Sequence, residues 1–151
     1  MGALFRIMLL VTALFTASAS AFARCEGICD GDTIHLDGVT YRLWGIDAPE
    51  LHQTCPDGWP AGIKASEAIG ELMQGKQITC EGRGHDRYGR TIALCRADGQ
   101  DIGAAMVRAG MAWAFVRYSS DYVGIEGEAS RAGIGVHAHA CMPAWEWRAR
   151  R

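Results

Sequence analysis

The sequence predicts an α+β domain, and three observations carry that prediction. Strand-like runs dominate the front half and fold back on themselves around turn sequences. Helical periodicity is inserted between these runs and appended after them. Strands and helices nowhere alternate as regular β/α units, and no internal repeat or low-complexity linker breaks the pattern.

Residues 1–23 read as an export signal: one cation at Arg6, an apolar run from Ile7 to Phe15, then small residues through Ala19, Ala21 and Ala23. Cleavage is expected after Ala23, since the run is too short and too near the terminus for a membrane span. Residues 24–151 form the expected domain, about 128 residues, enough for one core and too few for two. Without Arg6 this domain carries 14 Lys and Arg against 17 Asp and Glu, a net charge of −3. A basic wrap of the whole surface is excluded, so polyanion binding must be local.

From Cys29 to Ile46 the pattern is a hairpin: Thr33, Ile34 and Leu36, the turn Asp37-Gly38, then Val39, Thr40, Tyr41 and Leu43. Between Pro60 and Met73, Ala65, Ala68, Ile69, Leu72 and Met73 recur at helical spacing, with Gly75 as the stop. A second hairpin pairs Gln77–Glu81 with Thr91–Arg96 across a loop of Gly, Arg, His and Asp. Cys80 and Cys95 are equidistant from its turn, which places them opposite each other within reach of one disulfide. After the turn Ala97-Asp98-Gly99, Asp101 caps a short helix through Met106 and Val107, ended by Gly110. A strand-like run spans Ala112 to Val116. Ser119 or Ser120 is placed to cap a third helix bearing Tyr122, Ile125 and Ala129 on one face, with Gly133 as its stop. The end, Pro143 to Arg151, is rich in Trp and Arg.

All six cysteines follow the cleavage site, and an even count in an exported chain favours disulfides. Zinc is the competing reading, but no C-x-x-C pair exists. His137 and His139 form an H-x-H that could grip a metal from a strand, with a solvated polar pair as the alternative. Trp44, Trp59, Trp113, Trp145 and Trp147 are read as packing anchors rather than stacking platforms. Arg148, Arg150 and Arg151 are either a polyanion-capturing tail or a solvated terminus.

The chemistry concentrates in three segments: Asp30-Gly31-Asp32-Thr33, the run Arg42-Leu43-Trp44-Gly45-Ile46-Asp47-Ala48-Pro49-Glu50, and Asp86-Arg87-Tyr88-Gly89-Arg90. Phosphodiester hydrolysis needs charge stabilisation, an activated water and a positioned phosphate. Asp32 and Asp47 are hard oxygen ligands suited to one divalent cation, calcium first. Glu50, beyond Pro49, is placed to hold or deprotonate the attacking water. Arg42 and Arg90 offer planar forks for phosphate oxygens. A two-residue turn at Asp37-Gly38 sets Asp32 across from Leu43, on the face opposite Arg42; a three-residue loop sets it across from Arg42, where the chemistry sits more naturally. The sequence leaves both registers open.

Taken together and in this order, the three segments resemble the diagnostic motifs of the thermonucleases, the staphylococcal-type nuclease family, over about Gly27 to Val136. The resemblance implies a small five-stranded Greek-key barrel of the OB type with about three packed helices. It implies calcium held by the Asp32 and Asp47 side chains and the Ala48 carbonyl, Glu50 as general base, and Arg42 and Arg90 as catalytic phosphate-binding arginines. Tyr118 matches a nucleotide-pocket aromatic, Val116 stands where a second pocket tyrosine is expected, and Arg87 is a candidate secondary phosphate contact. The implied substrates are DNA and RNA, preferentially single-stranded or flexible, cut to 3′-phosphate products by a secreted or periplasmic monomer with no stable membrane association. Likeness is greatest to an exported, cysteine-containing branch in which Gln-Thr-Cys is followed by a second cysteine before the first helix. Here Gln53-Thr54-Cys55 is present but Ala61 replaces that partner, so Cys55 either remains free or pairs elsewhere, with Cys25, Cys29 and Cys141 as the candidates.

Two rival readings share the sequence. One is an OB-type barrel that binds single strands without turnover. The other is an exported partner-binding domain, suggested by the acidic balance, the cysteines and the Trp-rich end.

Overall fold

The computed structural model describes residues 30–151. The expected signal segment, Cys25 and Cys29 lie outside the described residues. Strand β1 (Thr33–Leu36) turns back into β2 (Val39–Leu43) through Asp37 and Gly38, both at positive φ, 50° and 78°. Two left-handed residues make the tight turn that matches strand twist. Thr33 pairs with Arg42 and Leu36 with Val39, so the two-residue turn is the register adopted, not the three-residue loop that seemed better for the chemistry. The objection to it fails because β1 begins at Thr33. Asp32 lies across from Leu43, whose amide donates to its carbonyl (2.8 Å), but it sits before the strand in a turn closed by the Thr33 amide on the Asp30 carbonyl (3.1 Å), and its carboxylate still reaches Arg42 Nη2 at 3.1 Å.

After β3 (Ile46–Asp47), helix α1 (Ala61–Met73) buries Ala61, Ala65, Ile69 and Met73 on one side and ends before Gly75. The second hairpin joins β4 (Ile78–His85) to β5 (Thr91–Ala97), with Cys80 opposite Cys95. Strand β4 is longer than expected. Its Gly-rich end read as loop, but it stays paired through a bulge between Gly82 and Gly84. The same sheet gains β6 (Gln100–Asp101), and Asp101 then caps α2 (Ile102–Arg108) by accepting from the Ala104 amide at 3.0 Å.

The strand expected over Ala112–Val116 shortens to β7 (Trp113–Ala114), because the Tyr118 and Ser119 amides both donate to the Phe115 carbonyl and turn the chain away. Helix α3 (Val123–Ala132) begins later than either proposed serine cap; the Ser119 hydroxyl accepts from Asp121 instead, and Gly133 closes the helix at φ 60°. The H-x-H lies not on a strand but at a 3₁₀ turn, Gly135–His137. A fourth helix, α4 (Ala144–Ala149), was not expected.

Five strands form one sheet, in the order β1-β2-β5-β4 with β6 on β5, and β3 pairs with β7. This is the mixed α+β, OB-like architecture expected. Ile34, Leu43, Ile46, Ile69, Ile102, Met106 and Val107 fill the core between sheet and helices. Each such side chain contributes about 1.5–3 kcal/mol by leaving water. A second cluster of Trp113, Val136 and Ala144, with Trp59 and Cys141 against it, seats α4. Two pairings matter for the site. The parallel β2–β5 ladder sets Arg42 beside Ile92, two residues from Arg90, and the β3–β7 pair sets Asp47 opposite Trp113 just before the Phe115–Tyr118 turn.

Candidate active site

The three chemical segments converge on one open cavity of about 1160 Å³. Asp30, Asp32, Arg42, Ala48 and Glu50 line one part of it; Asp86, Arg87, Tyr88 and Arg90 line another; Phe115, Val116, Arg117 and Tyr118 come from the loop after β7, and Trp145 and Arg148 from α4. Five arginines therefore face one concavity on a chain of net charge −2, the local concentration of cations that a polyanion needs.

Close packing holds the acidic segments in place. A Cβ at Gly31 would strike Ala65 and crowd Ala48, so only glycine lets the turn before Asp32 rest on α1. At Gly62, a Cβ would collide with the backbone carbonyls of Glu50 and Leu51, so the Glu50 loop lies directly against the helix. The Asp32 carboxylate accepts from the Ala48 amide (3.0 Å) and the Thr33 hydroxyl (3.1 Å). Arg42 Nη2 bridges Asp32 Oδ2 at 3.1 Å and Asp47 Oδ1 at 2.8 Å, while Nη1 donates to the Ile46 and Leu43 carbonyls. Arg42 is thus the buried counter-ion of both aspartates as well as a cavity residue.

Asp47 has no solvent exposure and does not line the cavity. Burial pushes its carboxyl up from the ordinary value, as does the Asp32 charge, against the hydrogen bond from Arg148 and the charge of Arg42. Asp30 is likewise raised, by burial first and then by the charges of Asp32 and Glu50. That carboxylate was read from sequence as part of a turn, not as a member of the site. At the opposite wall Asp86 accepts from the Tyr88 and Arg90 amides and from Arg90 Nε (2.6 Å), while Arg90 Nη1 reaches the Thr33 hydroxyl at 3.3 Å. Desolvation works against the Asp86 charge, yet these donors hold the carboxyl below its ordinary range. The result is a fixed plane for the Arg90 guanidinium. Arg87 lies over Tyr88, 5.0 Å from the ring centroid.

Tyr118 stacks on Trp44 (6.0 Å) and meets Phe115 edge-on (5.1 Å), presenting an aromatic ledge that is 41 % exposed. Val116, also on the cavity, offers no ring, but Trp145 lies 5.8 Å from Phe115 and faces the same space. Sequence reasoning had placed Trp145 among packing anchors. Arg148, read as tail, is the larger omission. Its Nη2 lies 2.8 Å from Asp47 Oδ2 and its Nη1 3.2 Å from Asp47 Oδ1, and Nη1 also donates to Glu50 Oε1. Partial burial disfavours the cation, but those two carboxylates more than offset it and hold Arg148 above its ordinary range.

The segment leading into α4 is fastened to the Glu50 loop. Cys55 pairs with Cys141, with Cα atoms 4.7 Å apart, resolving which of the candidates meets Cys55; among the described residues Cys80 and Cys95 form a second bridge at a Cα separation of 4.1 Å. Buried Gln53 accepts from the Glu50 amide (3.2 Å) and donates to the Met142 carbonyl (2.6 Å). His139 stacks on Trp59 at 4.4 Å and bonds Asp57 at 2.6 Å, so this imidazole ties the same two segments together.

Among the described residues no group of three or more His, Cys, Asp or Glu is arranged to hold a metal. The groups that the resemblance implies as ligands are nevertheless all oxygen: the Asp32 and Asp47 carboxylates, both on Arg42, and the carbonyl of Ala48, a cavity residue. That chemistry suits a hard cation such as calcium, with guanidinium groups now occupying the Asp47 oxygens.

A family model described as staphylococcal nuclease homologue matches residues 40–136. The chain is similar to an uncharacterized endonuclease of Haemophilus influenzae, 34 % identical over 140 residues, covering 87 % of this chain and 75 % of that protein. It is equally similar to an uncharacterized endonuclease of Escherichia coli, 34 % identical over 141 residues and covering 88 % of each. A micrococcal nuclease of Shigella flexneri is 31 % identical over 139 residues, 80 % of this chain and 76 % of that one.

Proposed function

This chain belongs to the staphylococcal nuclease family, and on that premise we propose that it is a secreted or periplasmic, calcium-dependent nuclease that hydrolyses DNA and RNA to 3′-phosphate products. The observation that carries the reading is the convergence of Asp32, Arg42, Glu50 and Arg90 on one arginine-rich cavity. Nuclease-named relatives support a hydrolase acting on nucleic acid.

Glu50 takes a proton from water as the water oxygen bonds to phosphorus; the bond from phosphorus to the 5′-oxygen breaks, that oxygen takes a proton from solvent to leave as a hydroxyl, and Glu50 returns its proton to solvent. Arg90, held in plane by Asp86, offers its guanidinium to the phosphoryl oxygens as charge builds on them. Arg42 faces the same space while fixing the two aspartates. Asp32, Asp47 and the Ala48 carbonyl would hold calcium, which when bound would supply Lewis-acid stabilisation of that charge. Tyr118 holds a base by stacking, and Arg87 meets a neighbouring phosphate. Backbone contacts of this kind read no base edges, which fits use of both DNA and RNA and a preference for flexible single strands.

Among the described residues, two disulfides and the absence of any helix long and apolar enough to cross a membrane support the exported setting. Residues 1–23 would be the signal that takes it there, leaving 24–151 as a monomeric domain. The test is hydrolysis of single-stranded DNA and RNA by the oxidised protein with calcium and with chelator, followed by end-group analysis. Calcium-dependent cleavage leaving 3′-phosphates is expected. Retained binding without cleavage would favour the single-strand-binding module.

A further inference from the structure

Arg148 stands at the centre of the acidic wall yet lies outside residues 40–136, the part of the chain that matches the family. It is 101 residues from Asp47 in sequence and is brought there by the cluster that seats α4 together with Cys55–Cys141 and Gln53–Met142, which bind the start of α4 to the Glu50 loop. Its guanidinium grips both oxygens of Asp47 and one of Glu50.

The two arginines on Asp47 differ in freedom. Arg42 is buried and also anchored to the Ile46 and Leu43 carbonyls, so it cannot leave without stranding polar groups. Arg148 has a side chain 44 % exposed, on a six-residue helix. Asp47 itself has no exposure, whereas Arg148 lines the cavity, so an ion entering from the cavity meets Arg148 before Asp47. Oδ1 already accepts from both arginines and Oδ2 from Arg148, which leaves Asp47 a single free lone-pair site, on Oδ2 beside the Arg148 cation, so an ion gains an unobstructed carboxylate oxygen only when Arg148 leaves.

We propose that Arg148 and a divalent cation compete for Asp47, so that Arg148 sets the metal affinity of the site. The inference rests on the reading that Asp32 and Asp47 hold the cation. Apparent affinity is then the intrinsic affinity multiplied by the fraction of molecules in which Arg148 is off Asp47. A structural role alone would not do this, since losing a stabilising ion pair weakens binding rather than strengthening it.

Calorimetric titration of the oxidised protein with calcium alone, without nucleic acid, tests the proposal. Arg148→Gln is expected to bind calcium roughly tenfold more tightly than the unaltered chain. Arg150→Gln, the same charge change two residues away, is expected to leave the affinity unaltered. In the unaltered protein, the separate Nη–H resonances of an Arg148 held at two oxygens should average together on calcium saturation, a readout that needs no variant. Equal or weaker calcium binding by Arg148→Gln, an equal gain in Arg150→Gln, or Nη–H signals that stay resolved would each overturn the competition while leaving the metal site intact. No calcium binding by any of the three proteins would overturn the metal reading and this inference with it.

Discussion

Replacing Cys55 and Cys141 together by serine opens a loop spanning 86 residues, whereas the same change at Cys80 and Cys95 opens one spanning 15. Loop-closure entropy makes the first bridge worth about 4.6 kcal/mol and the second about 3 kcal/mol at 25 °C. The gap of about 1.5 kcal/mol should survive in the difference between the variants, because both bridges join segments that the fold already holds together. Cys80 and Cys95 face each other in a seven-residue strand ladder, and Cys141 sits in the cluster beneath α4. Urea unfolding of the two double variants and the unaltered protein, followed by Trp fluorescence, measures each loss by linear extrapolation. The Cys55 pair should be the costlier. A loss at Cys80 and Cys95 equal to or larger than that at Cys55 and Cys141 would refute the argument from loop length. The Cys55 pair also tethers Arg148, so its removal lowers the local concentration of that guanidinium at Asp47 and should tighten calcium binding.

Arg90→Lys loses the planar fork and should cut turnover about a hundredfold, with stability changing by no more than about 1 kcal/mol, since the Asp86 pair is partly exposed; steady-state kinetics and urea melts check both. Arg42→Lys should instead damage stability and turnover together, because lysine cannot serve two buried carboxylates and two carbonyls at once. Tyr122→Phe removes the hydroxyl that donates to Asp101 at 2.9 Å and should cost about 1 kcal/mol. Burial, then the Asp101 charge, raise the Tyr122 phenol above its ordinary value, so the stability it contributes is fully present below about pH 10 and is lost as pH rises further; Tyr122→Phe should flatten that alkaline decline in melting temperature. Tyr118→Ala and Trp145→Ala should each weaken binding of a single-stranded oligonucleotide by about 1–3 kcal/mol, read by fluorescence titration.

Local chemistry in this chain was legible wherever a short segment determined its own shape. Asp37-Gly38, the α1 periodicity and the Asp101 cap each follow from a few neighbouring residues. The equidistance of Cys80 and Cys95 translated directly into their register. Less legible were features that depend on competition between neighbours: the glycine-flanked bulge in β4, and the turn at Phe115 that shortens β7 and delays α3 past its serines. The three motifs pointed to one cavity, but α4 has too few residues and no side-chain cap to announce itself. Arg148 was invisible because its partners lie about a hundred residues away and its place depends on a disulfide whose pairing spacing alone did not select.

The account turns on Glu50 as the base beside an intact phosphate and metal site, and Glu50→Gln addresses this most directly. Turnover of single-stranded DNA and oligonucleotide affinity would be measured together, in calcium, on the oxidised variant. A fall in turnover of about 10²–10⁴-fold with affinity and melting temperature nearly unchanged is the predicted result. Turnover within a few-fold of the unaltered protein would contradict the assignment of Glu50 and the mechanism built on it.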